Sequence, residues 1–510
     1  MFRNKSKKVR FRLTWRSWHK WVGVGFTLFI VVFCFSGIIL NHRRAFSSCE
    51  VARWWLPSAY HIDNWNQGVI KGTVKMDGKL IAYGQTGVWL TDSEFKEWKD
   101  LNNGITEGVD NRKISNVVRT SDGTIWCAGL YDAYRFDRKS SQWTALSLPG
   151  NDERIRDIAL RGDTVVVLTR SSVFEGIAPE YSFVERPLHK PEGYDSKVTL
   201  FKTVWMLHSG ELFGLAGRLI VDAMGIVLII LCITGLVFFL LTYSVKKKWI
   251  GSDIKRQAGW MKWNLRWHNR LGAGSIILTT ILAVTGMCLR PPLMVPLAIT
   301  KVAPMPGSIL RNDNAFHDKM RAIRWDEVLQ SWLISTSDGF YALSNLRDSV
   351  PIKIGNAPNV SPMGMNVFCR NPKAADEWII GSFSGLFRWN PANGSISDYF
   401  TGKSVVAGHG RPVATHAVTG WSTDLDITDG TPVIFEYSAA PSISMPKMPE
   451  ILRTQPMSLW NFALELHVGR CYEPFLGSAV SVMFVFISGL LLTLILISGY
   501  VLYRRSHKRN

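Results

Sequence analysis

Four long apolar runs constrain the fold of this 510-residue chain more than any other feature. Each is about 20 residues long, which is what an α-helix needs to cross the hydrocarbon core of a bilayer. A helix satisfies its own backbone hydrogen bonds, so it is the expected structure for each run. The runs are Trp21–Leu40, Leu219–Tyr243, Leu271–Leu289 and Ser478–Tyr503. The sequence therefore predicts a membrane protein with four transmembrane helices.

The formal net charge of +19 is concentrated beside these runs. Residues 1–20 carry eight Lys or Arg, residues 244–270 carry eight and residues 503–510 carry four, with Asp253 as the single acid among them. Short basic segments next to membrane helices mark the cytoplasmic side. Both termini are therefore expected in the cytoplasm and the two long segments outside. Acids and bases balance elsewhere, which argues against a nucleic-acid-binding surface.

This orientation predicts an alternation of cytoplasmic, membrane and periplasmic segments. The first run is longer than the apolar part of a signal peptide, about 7–15 residues, and no A-x-A-like site follows it, so a retained anchor is favoured over a cleaved peptide. The predicted segments are a basic N-terminus at 1–20, helices at 21–43, 206–243, 268–290 and 460–503, periplasmic β-rich segments at 44–205 and 291–459, a basic loop at 244–267 and a tail at 504–510.

The chain contains an internal repeat, which is found by shifting the sequence by 249 positions. The identical pairs are Trp18 and Trp267, His19 and His268, Gly23 and Gly272, Gly25 and Gly274, and Gly37 and Gly286. A looser repeat places LHSG at Leu207 and LHVG at Leu466, followed by ITG at Ile233 and ISG at Ile497. Two halves with an even number of helices can be related by a pseudo-twofold axis along the membrane normal.

Both outer segments are expected to be all-β. Short strands alternate with turn signals at fairly even spacing, and Asp122–Gly123 and Asp338–Gly339 suit tight hairpins. About three repeats of roughly 35–45 residues per segment favour one β-propeller of six or seven blades, built from both insertions. The repeats resemble the blades of periplasmic sensor propellers in two-component regulators. A looser β-sandwich is the alternative.

Five of the eleven histidines lie at membrane boundaries: His19, His42, His208, His268 and His467. Neutral imidazole is a good ligand for haem iron, and a b-type haem needs only such ligands and an apolar slot. His19 and Gly23 are four residues apart and share a helix face, as do His268 and Gly272. A glycine on that face leaves room for a flat macrocycle beside the backbone.

The repeat predicts how these histidines pair. A twofold axis would place His19 opposite His268 at the cytoplasmic end and His208 opposite His467 at the outer end. Each pair could ligate one iron, which predicts two haems and electron transfer across the bilayer. His42 has no histidine at the matching position and could replace an outer ligand or be a loop residue. The alternative is that these histidines only anchor the helices at the interface.

The ordered motifs WHKWVG…SGIILNH, LHSGELFGLAGRL…ITG, WHNRLGAG…VTG and LHVG…ISG resemble the PepSY-associated transmembrane family, which includes iron-regulated inner-membrane proteins and siderophore reductases. The resemblance covers the four helices and their flanks. It implies a haem-bearing reductase of the bacterial inner membrane that passes electrons to a periplasmic ferric chelate and releases Fe(II). His19, His208, His268 and His467 would be the ligands. The family's small α+β outer modules differ from the propeller-like segments expected here.

The leading hypothesis is a four-helix dihaem ferric-chelate, or siderophore, reductase that serves iron uptake. No dinucleotide fingerprint is present, so the electrons would come from a quinol or from a protein on the cytoplasmic side. A second hypothesis is a sensor or assembly protein whose propeller binds a partner and which has no redox activity. A transporter is a third, against which the few polar residues in the spans argue.

Overall fold

The computed structural model describes residues 3–507 except 152, 248–253, 362–363, 408–415, 427–430 and 438–444. The chain forms two compact units, each assembled from separate stretches of sequence. The helical unit comprises Met1–Phe46, Ser196–Arg311 and Leu459–Asn510, and the β unit comprises Ser47–Asp195 and Asn312–Ser458.

Nine α-helices lie in the described part of the chain, and all but the sixth belong to the helical unit. They are α1 Arg3–Asn41, α2 Leu200–Ser209, α3 Gly214–Lys247, α4 Ile254–Cys288, α5 Met294–Ile299, α6 Glu450–Arg453, α7 Leu459–His467, α8 Glu473–Leu476 and α9 Ser478–His507. A short antiparallel pair, Val198–Thr199 with Lys301–Val302, also belongs to the helical unit.

Four of these helices contain stretches long and apolar enough to cross a membrane: Trp15–Asn41, Glu211–Ser244, Arg256–Cys288 and Ser478–His507. The four predicted runs lie within these helices, apart from the single residue Leu289. Helices α1 and α4 each pack against both α3 and α9, so the order around the bundle is α1, α3, α4, α9. The buried centre takes one residue from each helix: Ile30, Leu228, Ala283 and Leu496.

Two predicted membrane helices, 206–243 and 460–503, are not continuous. The first is divided into α2, a 3-10 turn at Glu211–Phe213 and α3, and the second into α7, a 3-10 turn at Arg470–Tyr472, α8 and α9. Glycine causes both breaks: Gly210 has a φ of 80° and Gly469 a φ of 82°, the left-handed conformation that ends helices. As a result, α2 packs against α4 and α7 packs against α1 as separate short helices.

The predicted cytoplasmic segments are more helical than expected. Residues from Arg3 of the basic N-terminus already belong to α1, and α3 and α4 extend into the predicted loop 244–267. Residues 248–253 of that loop lie outside the described residues, as do 1–2 and 508–510 at the two termini.

The β unit consists of six sequential antiparallel sheets, each formed by strands adjacent in the chain, and one short pair that joins its two ends. Five sheets have four strands. They are sheet 1, Gly72–Met76, Lys79–Gly84, Gly87–Thr91 and Trp98–Asp100; sheet 2, Asn116–Arg119, Ile125–Ala128, Ala133–Asp137 and Gln142–Ala145; sheet 3, Ile155–Arg161, Thr164–Thr169, Val173–Ile177 and Val184–Arg186; sheet 4, Met320–Asp326, Ser331–Thr336, Gly339–Leu343 and Ile352–Ile354; and sheet 5, Val367–Asn371, Ala374–Ser382, Gly385–Asn390 and Ser395–Asp398. Sheet 6 pairs Val418–Ser422 with Val433–Glu436, and a short pair joins Glu50–Val51 to Met457–Ser458.

Large buried side chains hold the sheets against one another. Separate apolar clusters join sheets 1 and 2, 2 and 3, 3 and 4, 4 and 5, and 5 and 6. A further cluster, which includes Trp89 of sheet 1 and Phe435 of sheet 6, joins the first sheet to the last. Both predicted Asp-Gly turns connect paired strands, Asp122–Gly123 in sheet 2 and Asp338–Gly339 in sheet 4.

Candidate functional site: two histidine pairs

The structure brings together the two histidines that repeat in α1 and α4. The rings of His19 and His268 have centroids 6.3 Å apart and planes inclined by 77°. These helices are diagonal in the bundle, since each packs against α3 and α9. The first pair therefore lies across the bundle, at the ends of α1 and α4 that adjoin the basic segments.

The second pair lies at the ends of the two short helices. His208 is in the last turn of α2 and His467 in the last turn of α7, and their ring centroids are 6.1 Å apart with planes inclined by 51°. The left-handed glycines Gly210 and Gly469 end both helices two residues later. The glycines that interrupt the two predicted helices therefore also determine where the His208 and His467 rings lie.

The two pairs lie at opposite ends of the bundle. His467 contacts Ser36 on α1, and Ser36 is seventeen residues from His19 on the same helix. At about 1.5 Å of rise per residue, the two levels are roughly 25 Å apart along the helix axis. This separation is close to the thickness of a bilayer core, about 30 Å.

A neighbouring helix contacts the Nδ1 atom of each ring in the first pair. His19 Nδ1 lies 3.1 Å from the Ile495 carbonyl oxygen and 3.0 Å from Ser498 Oγ, both on α9. His268 Nδ1 lies 2.9 Å from Thr234 Oγ1 on α3.

The second pair is held in the same way. His208 Nδ1 lies 3.1 Å from the Leu282 carbonyl oxygen and 3.2 Å from Thr285 Oγ1, both on α4. His467 Nδ1 lies 3.1 Å from the Phe33 carbonyl oxygen and 2.9 Å from Ser36 Oγ, both on α1. A hydroxyl therefore contacts the Nδ1 atom of all four histidines.

These hydroxyls determine which ring nitrogen carries the hydrogen. Each hydroxyl donates its own hydrogen to a backbone carbonyl in the preceding turn, at 2.7 or 2.8 Å, in Ser36, Thr234, Thr285 and Ser498. Each hydroxyl oxygen is then an acceptor for the Nδ1–H group. The lone pair of each neutral imidazole consequently lies on Nε2, the nitrogen that is free to bind a metal.

A glycine follows each of these hydroxyl residues and lets the imidazole approach the helix backbone. A Cβ built on these glycines would lie 3.4 Å from His467 Cε1 at Gly37, 3.4 Å from His268 Cε1 at Gly235, 2.7 Å from His208 Cε1 at Gly286 and 2.9 Å from His19 Cε1 at Gly499. Distances under 3.0 Å are too short for carbon atoms in contact. Gly286 and Gly499 are therefore needed for the observed ring positions.

The glycines predicted to form an apolar slot have open space beside them. A Cβ built on Gly23 would meet no atom within 4 Å, and one built on Gly272 would meet only Leu231, at 3.6 Å. The Ser/Thr-Gly pairs were not among the predicted site residues, although SG, ITG, VTG and ISG are visible in the sequence. Their recurrence in all four membrane helices, twice in the last (Ser488–Gly489 and Ser498–Gly499), is the signal that could have identified them.

His42 has a different environment from the two pairs. Its Nε2 lies 2.6 Å from Asp222 Oδ2, and Asn41 Nδ2 donates to Asp222 Oδ1 at 3.0 Å. One turn before Asp222 on α3, the Nε atom of Arg218 is buried and has no hydrogen-bond partner within the described residues. Asp222 therefore has two partners at this end of the bundle, while one nitrogen of the nearby Arg218 has none among the described residues.

Each histidine pair offers two imidazole nitrogens as ligands. Among the described residues, no group of three or more His, Cys, Asp or Glu side chains could hold a metal ion. A bare metal ion usually needs four or more ligands, whereas haem iron takes four from its own macrocycle and only the axial ones from protein.

Comparison with known proteins confirms the resemblance found in the sequence. Residues 1–242 match the family model of the PepSY-associated TM region. No curated protein matches the chain.

Several solved structures are similar to parts of the chain. The extracellular domain of a protein described as a hybrid two component system from B. thetaiotaomicron is 8% identical, with a TM-score of 0.35, and the match covers 78% of this chain and 36% of that one. A second such domain from the same organism is 8% identical, with a TM-score of 0.33, and covers 77% and 36%. A chain of a mitotic checkpoint complex is 9% identical, with a TM-score of 0.32, and covers 76% and 89%. This chain spans about a third of the length of the two extracellular domains.

Proposed function

We propose that the helical unit binds two b-type haems and conducts electrons across a bacterial inner membrane, in a chain whose residues 1–242 match the family model of the PepSY-associated TM region. His19 and His268 bind one haem, and His208 and His467 bind the other. Both termini are cytoplasmic, and the β unit is periplasmic, in keeping with the basic segments beside the spans.

The observation that carries this proposal is the spacing of the paired rings. Two imidazoles that bind one metal through bonds of about 2 Å have ring centroids about 6 Å apart. The observed separations are 6.3 and 6.1 Å. The hydroxyl contacts at Nδ1 leave Nε2 as the ligating atom and hold the ring orientation, as hydrogen-bond partners of metal-binding histidines commonly do.

Two further features fit a haem. The open space beside Gly23 and Gly272 leaves room for the edge of a flat macrocycle. The buried Nε of Arg218, which lacks a partner among the described residues, is suited to a propionate carboxylate. His42 is a candidate alternative ligand at the same end, with Asp222 orienting its ring.

The chemistry that the bound haems supply is one-electron transfer between the two faces of the membrane. We propose that a quinol or a cytoplasmic-side protein donates the electrons and that a ferric chelate, such as a siderophore, accepts them outside. One quinol loses two electrons and releases two protons, and two ferric ions each gain one electron and become Fe(II). The chain's own residues position the ligands and separate the redox centres from lipid.

The β unit is proposed to be a closed propeller of six blades. Its sheets follow one another in the chain, each packs against the next, and sheet 1 packs against sheet 6. Closure of this kind leaves short and protected strand edges. The short strand pair between Glu50–Val51 and Met457–Ser458 supports it, because it joins the two insertions that build the unit.

The test is the colour of the purified full-length protein. Haem per polypeptide is measured as the pyridine haemochrome in wild type, His19→Ala, His467→Ala and the matched control His189→Ala, which changes an exposed histidine of the β unit. We expect two haems in wild type and in the control, and one haem in each of the other variants.

A colourless protein from haem-replete cells would overturn the proposal and favour the partner-binding alternative. Two haems in both His19→Ala and His467→Ala would overturn the ligand assignment. Ferric-chelate reduction is then measured in proteoliposomes with reduced quinone inside. We expect it in wild type and not in either ligand variant.

A further inference from the structure

Two arginines occupy the same unusual position in neighbouring sheets of the β unit. Arg156 and Arg321 are each the extra residue in a β-bulge at the start of the first strand, in sheet 3 and sheet 4 respectively. A bulge turns its extra side chain away from the direction that regular pleating would give. The two bulges are at equivalent positions in adjacent sheets. Each therefore directs one arginine side chain away from the alternating direction of a regular strand.

These arginines lie close to each other, and a lysine just before sheet 1 is near enough for its charge to interact with one of them. A Cβ built on Gly364 would come within 2.9 Å of Arg156 Nη2 and 3.9 Å of Arg321 Cδ, so the two side chains border the same glycine. Lys71 immediately precedes the first strand of sheet 1, and its charge and that of Arg156 act on each other. One cation thus comes from the start of the first strand of each of sheets 3 and 4, and one from the residue just before the first strand of sheet 1.

None of the three cations has a carboxylate partner within 4 Å among the described residues. Arg156 Nε is buried without a hydrogen-bond partner, and Arg321 Nη1 donates only to the backbone oxygens of Asp318 and Met320. The nearby acids have other partners: Asp157 pairs with Arg324 at 2.6 Å and Asp318 pairs with Arg170. Asp157, Asp318 and Asp338 offset part of this positive charge from a distance, but none of them pairs with the three cations, so the excess of positive charge requires an explanation.

The cations are neither in the solid core nor on the outer surface. Lys71, Arg156 and Arg321 are each partly buried and retain part of their accessible surface. Water and small solutes can therefore reach all three side chains.

We propose that Lys71, Arg156 and Arg321 bind a small anion with several carboxylate or phosphate oxygens. Arginine presents paired N–H groups that match such oxygens, and lysine adds a point charge. This site lies within the β unit and does not depend on haem binding.

The protonation behaviour of the cluster agrees with an anion site. Burial lowers the pKa of Lys71 to about 8, with Asp157 opposing the change and Arg156 and Arg324 adding to it. Burial, followed by the charge of Arg321, lowers the pKa of Arg156 to about 9. A bound anion would relieve both effects.

The experiment uses the purified full-length protein in detergent at pH 7 and low ionic strength. Citrate and inorganic phosphate are titrated separately by calorimetry, and the melting temperature is recorded with and without each anion. The variants are Arg156→Gln and Arg321→Gln. The matched control is Arg119→Gln, which changes an exposed arginine in the first strand of sheet 2.

We expect at least one of the two anions to bind wild type and to raise its melting temperature. Loss of one charge-assisted contact should weaken binding by roughly tenfold or more in each variant, while the control binds as wild type does. A preference for citrate or for phosphate shows whether the site binds carboxylate or phosphate oxygens. The proposal is overturned if neither anion binds wild type, or if both variants bind with wild-type affinity.

Discussion

Substitution of Gly286 by alanine tests the proposed outer haem site without removing a ligand. The new Cβ would lie 2.7 Å from His208 Cε1, whereas carbon atoms in contact are about 3.5 Å apart or more. The ring must therefore move by roughly 0.8 Å. Its Nδ1 contacts, 3.1 Å to Leu282 and 3.2 Å to Thr285, are already long and would stretch beyond hydrogen-bond range.

The expected effect on stability is small. Loss of two hydrogen bonds costs about 2 kcal/mol, and alanine in place of a helical glycine returns about 1 kcal/mol. The free energy of unfolding should thus fall by only about 1 kcal/mol. The effect on the cofactor should be large, because a metal–ligand bond tolerates far less than 0.8 Å of displacement.

The assay compares Gly286→Ala with Gly37→Ala, whose new Cβ would lie 3.4 Å from His467 Cε1 and so needs little movement. Haem per polypeptide and the absorption spectrum of the reduced protein are measured for both. We expect Gly286→Ala to retain one normal haem and to lose or alter the second, and Gly37→Ala to resemble wild type. Two unaltered haems in Gly286→Ala, or equal losses in both variants, would refute the reasoning.

Three further outcomes are expected. Thr285→Val removes the hydroxyl that accepts a hydrogen bond from His208 Nδ1–H. The imidazole becomes a weaker electron donor, so one of the two midpoint potentials should rise in a redox titration. An unchanged pair of potentials would contradict the assigned tautomer. Asp222→Asn and His42→Gln should show a coupling energy of about 0.5–3 kcal/mol in a double-mutant cycle of unfolding free energies, because the two side chains are 2.6 Å apart. Additive effects would show that the contact is not formed. Anion binding to the β unit should weaken as the pH rises through about 8, since Lys71 is cationic below its pKa and neutral above it. Calorimetry with citrate at pH 7 and 8.5, below the pKa of about 9 of Arg156, that gives equal affinities would exclude Lys71 from the site.

The membrane helices could be predicted from the sequence because hydropathy is a local property. The same is true of the turn at Asp122–Gly123, where the residue types needed for a tight hairpin are adjacent. The approach of His19 to His268 could be predicted for a different reason: an unbroken offset of 249 residues implies symmetry, and symmetry places equivalent residues across an axis. Whether these rings bind haem stays a prediction.

Features that depend on contacts between distant parts of the chain could not be predicted. Ser498 and Gly499 support His19 from 479 and 480 residues away, and no periodicity within α1 or α9 indicates that contact. The division of the second predicted helix depends on the left-handed conformation of Gly210, which the sequence shows only as one glycine among many. The bulge at Arg156 is likewise a matter of strand register, which is set by pairing and not by composition.

The internal repeat explains why the helical unit has this form. His19 in the first half rests on Ser498 and Gly499 in the second, and His268 in the second half rests on Thr234 and Gly235 in the first. The outer pair repeats this exchange through α4 and α1. Each half therefore supplies one imidazole to each pair and also the hydroxyl and glycine that hold the opposing imidazole. Neither half can form a pair, or support its own histidines, without the other, so assembly of the bundle and formation of both candidate sites are one event.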